Sequence, residues 1–178
     1  MSWFRSRFRP WSRYGALVVL AGLTACGFRP LYGPQGGYDA SLAELASVRV
    51  LPIPDRIGQV LHNSLLDRLT PRGAPLNPRY RLAVNMARQK EGLAFEKDES
   101  VTRFNLTVSA SYQLTEIATG SVVTAGSTRS VAAFNVVQSE FANISAEADA
   151  ERRAARAVGE DIWIRLGVYF SQVIDGRT

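Results

Sequence analysis

Residues 103–114 alternate without a break. Phe104, Leu106, Val108, Ala110, Tyr112 and Leu114 form an apolar row, and Arg103, Asn105, Thr107, Ser109, Ser111 and Gln113 sit between them. Successive side chains of an extended strand point to opposite faces, so a period of two sorts these residues onto two surfaces. A helix would scatter the six apolar residues around its circumference. The stretch therefore reads as a strand in a sheet with one face to bury and one face that accepts water. The rest of the chain must supply further strands and a cover for the apolar face.

Both are legible. Tyr80, Leu82, Val84 and Met86 face one way, and Arg79, Arg81 and Asn85 the other. Residues 121–134 read as a hairpin partner of 103–114 across a turn at 116–120, with Gly126 as a bulge. Residues 90–100 read as a charged loop. An earlier strand spans 47–53, with Val48, Val50 and Pro52 on one face. Asp55 is then a plausible N-cap, and Ile57, Val60, Leu61, Leu65 and Leu69 trace one apolar stripe of a helix that stops at Thr70-Pro71. The last helix is predicted over 145–172. Ser145 caps it, Glu147 and Asp149 lie in its first turns, and Ala148, Ala155, Val158, Ile162, Leu166, Tyr169 and Val173 are its buried stripe. Arg156 with Glu160, and Asp161 with Arg165, have i,i+4 spacing. Trp163 lies at the core edge. The order is strand, helix, strand, strand, strand, helix. It predicts an α+β two-layer domain, in which a small mixed or antiparallel four-stranded sheet carries both helices on its apolar face.

The amino terminus reads differently. Arg5, Arg7, Arg9 and Arg13 precede a short apolar run over 15–23, which is too short for a membrane span of about 20 residues. Leu23-Thr24-Ala25-Cys26 resembles the bacterial lipobox, a signal-peptidase recognition sequence. That resemblance implies cleavage before Cys26 and a covalent diacylglyceryl and N-acyl lipid on that residue. Cys26 is the chain's single cysteine, so no intrachain disulfide is available to it. The expected division is a lipoprotein signal peptide at 1–25, a lipidated cysteine with a Gly/Pro-rich tether at 26–44, and one α+β domain at 45–178. Within the tether, Phe28, Leu31 and Tyr32 either tuck onto the domain or lipid interface, or dock on a partner.

The formal charge of +5 belongs mostly to the leader. Without its four arginines, the 21 basic residues fall to seventeen against sixteen acids, a balance that gives no pull towards nucleic acid. No catalytic constellation is visible, and neither a metal site nor a cofactor motif. His62 is the only histidine and reads as exposed or capping. Asp98 with Glu99, and Asp149 with Glu151, read as solvated surface. An enzyme is not expected.

The run Cys26-Gly27-Phe28-Arg29-Pro30-Leu31-Tyr32-Gly33 resembles the amino-terminal signature of the alphaproteobacterial LPS-assembly lipoproteins, the LptE family. Residues 59–69, 114–126, 132–135, 141–142 and 149–157 are similar to that family's first helix, hairpin and last helix. The resemblance implies two helices on a small mixed sheet. It also implies a non-enzymatic outer-membrane lipoprotein, lipid-anchored, with its domain on the periplasmic side or within a barrel lumen. Its partners would be a large outer-membrane LPS-assembly β-barrel, which it plugs and helps to assemble, and lipopolysaccharide. Arg79, Arg81, Arg103 and Arg129 are candidates for lipopolysaccharide binding. Two alternatives remain open: a periplasm-facing lipid carrier with an internal apolar cavity, and a scaffold for some other barrel.

Overall fold

The computed structural model describes residues 36–95 and 101–176. The leader, the lipobox, Cys26 and residues 96–100 lie outside them. The elements run in the order α1 (Gly36–Ala46), β1 (Val48–Val50), α2 (Arg56–Leu69), β2 (Tyr80–Phe95), β3 (Val101–Glu116), β4 (Val122–Asn135) and α3 (Glu140–Asp175). The four strands form one mixed sheet in the order β1-β2-β3-β4. β1 pairs with β2 in parallel, Val48 opposite Tyr80, and the other pairs are antiparallel, with Val84 opposite Tyr112 and Phe104 opposite Phe134. The domain is an α+β two-layer structure, as the alternation requires, with three helices rather than two.

The apolar rows behave as their period dictates. Leu82, Leu106, Val108 and Leu114 are fully buried beneath Val158, Ile162 and Leu166 of α3 and Leu61 and Leu65 of α2. Each fully buried side chain of this size contributes about 1.5–3 kcal/mol. At 36 residues α3 is about 54 Å long, close to the roughly 53 Å of the 16-residue strands it crosses. Its early turns meet the far end of β2, where Glu147 takes a hydrogen bond from Lys90 at 2.6 Å. Its last turns reach the start of β2, where the Phe170 and Tyr80 rings lie 5.1 Å apart. Gly159 sets the closeness of α2 and α3, because a Cβ there would meet Ser64 Oγ at 3.1 Å and Leu61 Cδ1 at 3.2 Å.

Several local expectations are corrected. The stretch at 36–46, read as the end of a tether, is helical. Its Gly-Gly start suggested a spacer, but Ala40, Leu42, Ala43, Glu44, Leu45 and Ala46 favour helix, and Leu45 is buried in the core. β1 stops at Val50, so Pro52 leaves the alternation and is exposed while Ile53 turns inward. Asp55 sits at the N-cap position with φ 69° and makes no side-chain cap. Within the expected loop at 90–100, residues 90–95 are strand, because Arg88 and Lys90 of β2 find carboxylates on α3. Gly126 is not a bulge: it pairs in register with Tyr112, and the irregularity falls between Leu114 and Thr115, whose partners are Thr124 and Val122. A Cβ on Gly126 would lie 2.7 Å from the Tyr112 hydroxyl, so the missing side chain makes room for that ring. α3 begins at Glu140, where Ser139 accepts from Ala142 N–H, which leaves Ser145 more than a turn inside. Phe170, rather than Tyr169 or Val173, is the large buried residue of its last turns.

Candidate functional site

With the helices on one side, the other side of the sheet stays open. Its rows follow from the register. Arg49, Arg81 and Thr115 lie side by side at one end. Asn85, Ser111 and Ser127 come next but one, then Ala87, Ser109 and Arg129, then Gln89, Thr107 and Val131. Arg81, Asn85, Ala87, Gln89, Ser111, Gln113, Ser127 and Arg129 are all exposed. Ala87, Ser111 and Ser127 are short, so the backbone is approachable at the centre of the face. Its ionisable groups are Arg49, Arg81, Arg103, Arg129 and Glu91, and none has an ion-pair partner among the described residues.

The four arginines singled out in the sequence do not converge. Arg79 is committed to the fold: its guanidinium donates to Glu44 of α1 at 2.5 Å and lies 5.4 Å over the Tyr80 ring. Arg81 and Arg129 share the open face, but six residues of register separate them, about 20 Å along the strands. Arg103 lies as far again beyond Arg129. The residue that does join one of them is Arg49, directly opposite Arg81 on β1. Sequence reasoning missed it, because the parallel register of β1 with β2 leaves no local signal.

The helix-facing side carries the buried polar chemistry. Glu151 reads as solvated in the sequence, yet its side chain is 5 % exposed and receives guanidinium groups from both Arg56 of α2 and Arg88 of β2, the latter at 2.9 Å. One carboxylate thus ties three elements together. Near β4, the Thr128 hydroxyl, and with it Arg165 at 2.7 Å, hold the Asp161 carboxyl below its ordinary value of 3.8, against an opposing effect of burial. Burial pushes the Tyr112 and Tyr80 phenols up. Arg165 pairs with Asp161 as its spacing suggested, whereas Glu160 pairs with Arg68 of α2 at 3.5 Å rather than with Arg156. Trp163 is half-buried against the core beneath Arg68.

His62 contacts the Leu51 carbonyl oxygen at 3.2 Å through Nδ1, which is a structural link. No group of His, Cys, Asp and Glu able to hold a metal occurs among the described residues. No described helix is long and apolar enough to cross a membrane. The apolar row that a lipid carrier would have to expose is packed against α2 and α3 instead. The arginine-bearing face is the side of the sheet that no described helix covers.

Comparison with known proteins identifies the family and the fold. A family model described as lipopolysaccharide-assembly, LptE, matches residues 45–166. The fold resembles a putative lipoprotein from Caulobacter crescentus CB15 (TM-score 0.62, 21 % identity, covering 75 % of this chain and 97 % of that one). It also resembles a minor lipoprotein from Acinetobacter baumannii (TM-score 0.52, 16 % identity, 68 % of this chain and 88 % of that one). No curated protein sequence matches.

Proposed function

The chain belongs to the LptE lipopolysaccharide-assembly family, and from that premise we propose that it plugs and helps to assemble a large outer-membrane β-barrel. That barrel would deliver lipopolysaccharide to the cell surface. The observation that carries this reading is the one-sided sheet: its apolar row is packed under α2 and α3, and its other face is polar and uncovered. The lumen of a large barrel is polar and wet, so a surface of this kind suits it. The role is one of binding and assembly rather than catalysis.

Residues 1–25 would be removed, Cys26 would carry the lipid, and the folded domain would hang from it into the periplasm or the barrel. Two or more acyl chains give an anchor far stronger than the marginal binding of one, at about 0.8 kcal/mol per buried CH₂. Mass spectrometry of the native protein should find an acylated Cys26 as its first residue. Cys26→Ala should mislocalise the protein and leave the circular dichroism of the domain unchanged. The decisive experiment recovers the tagged, lipidated protein from detergent-solubilised envelopes. A near-stoichiometric β-barrel that survives high salt is expected. Recovery of the protein alone, or with lipid only, would refute the plug.

A further inference from the structure

We infer that the open face of the sheet is the principal docking surface, and that it fits a protein wall bearing carboxylates. The identity of that wall as the barrel rests on the reading above; the assignment of the face rests on three observations.

The first is charge. The face holds four arginines (Arg49, Arg81, Arg103 and Arg129) against the single acid Glu91, and none of the five is paired among the described residues. Elsewhere in the domain seven arginines are matched, among them Arg56 and Arg88 by Glu151, Arg79 by Glu44, Arg68 by Glu160 and Arg165 by Asp161, while Arg72 and Arg156 make no ion pair among the described residues. Arg49 and Arg81 are even direct cross-strand neighbours, a placement of like charges that costs stability when nothing intervenes. The arginines that serve the fold are paired, and those of the open face are not.

The second is shape and size. Ala83, Ala87, Ser109, Ser111 and Ser127 keep the centre of the face low, so a partner group can approach the sheet closely there. Three strands of about 14 residues cover roughly 46 by 14 Å, or about 650 Å², near the ~800 Å² per partner of a standard interface. The third is what the face disfavours. A second copy would bring the same excess of positive charge against itself. A bilayer would need a cluster of apolar groups to insert. The large exposed apolar side chains at paired positions of the face are Val122, opposite Thr115, and Val131, opposite Thr107, and they stand far apart along β4.

The test uses the full lipidated chain, recovered from detergent-solubilised envelopes, with the barrel identified by mass. Arg81→Glu with Arg129→Glu should reduce the recovered barrel at least about tenfold, since facing like charges penalise an interface strongly. Arg156→Glu, exposed on the helix layer, should leave recovery within about twofold. A photo-crosslinking residue at Ser111 should capture the barrel. Unchanged thermal melting of each variant separates loss of binding from loss of fold. If the wild-type protein recovers the barrel and the double reversal recovers as much, the face assignment is overturned while the plug stands. If the double reversal keeps the barrel but loses co-purifying lipopolysaccharide, the face binds anionic lipid and the inference is overturned. If the wild-type protein recovers no barrel, both readings fall.

Discussion

Glu151 offers the sharpest test of how the layers are joined. Its carboxylate is almost fully buried, whereas the side chains of its partners Arg56 and Arg88 are 66 % and 64 % exposed. Removing either arginine leaves the carboxylate one counter-charge. A charged hydrogen bond is worth about 1.5–3 kcal/mol, and the exposure of the guanidinium groups reduces that, so Arg56→Met or Arg88→Met alone should cost about 1 kcal/mol. Removing both strands a negative charge in a buried place, which costs about 3–5 kcal/mol. The double variant should therefore lose about 1–3 kcal/mol more than the sum of the singles. In urea unfolding, with a slope near ~2 kcal/mol/M, the double variant's midpoint should fall by roughly 2 M. Adding Glu151→Gln to the double variant should recover much of the loss, because a neutral amide needs no counter-charge. Additive single losses, or no recovery when Glu151→Gln is added, would refute the idea that one buried charge holds α2, β2 and α3 together.

Other expectations follow from particular contacts. Gly126→Ala forces a Cβ against the Tyr112 ring and should cost about 1–3 kcal/mol, read as a lower Tm; Tyr112→Leu in the same chain should return part of it. The Asp161 carboxyl is held low in the fold, so its contribution is present above the ordinary value of 3.8 and is lost as pH falls through the folded one. Asp161→Asn should flatten that part of the acid limb in urea titrations carried from neutral pH down to about pH 3. Tyr80 and Tyr112 are raised by burial, so the stability they confer is full below about pH 10 and declines above it. Phenolate absorbance should show these two ionising late, and the late fraction should shrink in Tyr80→Phe or Tyr112→Phe chains.

What is legible in the sequence is whatever local periodicity controls. The row from Phe104 to Leu114, the stripe from Ile57 to Leu69 and the buried Val158, Ile162 and Leu166 all emerge as read. What is not legible depends on partners distant in the chain. The end of β2 reads as loop because the carboxylates that receive Arg88 and Lys90 lie 63 and 57 residues away on α3. Glu151 reads as surface because nothing local reveals two arginines converging on it. Gly126 reads as a bulge because a glycine in a strand has two explanations, and only the Tyr112 ring decides between them. On the open face, the alternation marks Arg81, Arg103 and Arg129 as surface. It does not show that Arg79 belongs to Glu44 or that Arg49 stands beside Arg81.

Because the core and the open face interleave residue by residue along β2, β3 and β4, they respond differently to two kinds of genetic change. Substitution at an outward position leaves the packed row untouched, so the docking chemistry is free to drift while the fold persists. A single inserted or deleted residue within a strand does the opposite: beyond it every inward side chain points out and every outward one in. Chain length within these strands should therefore be far more rigidly kept than sequence, with length variation confined to the turns.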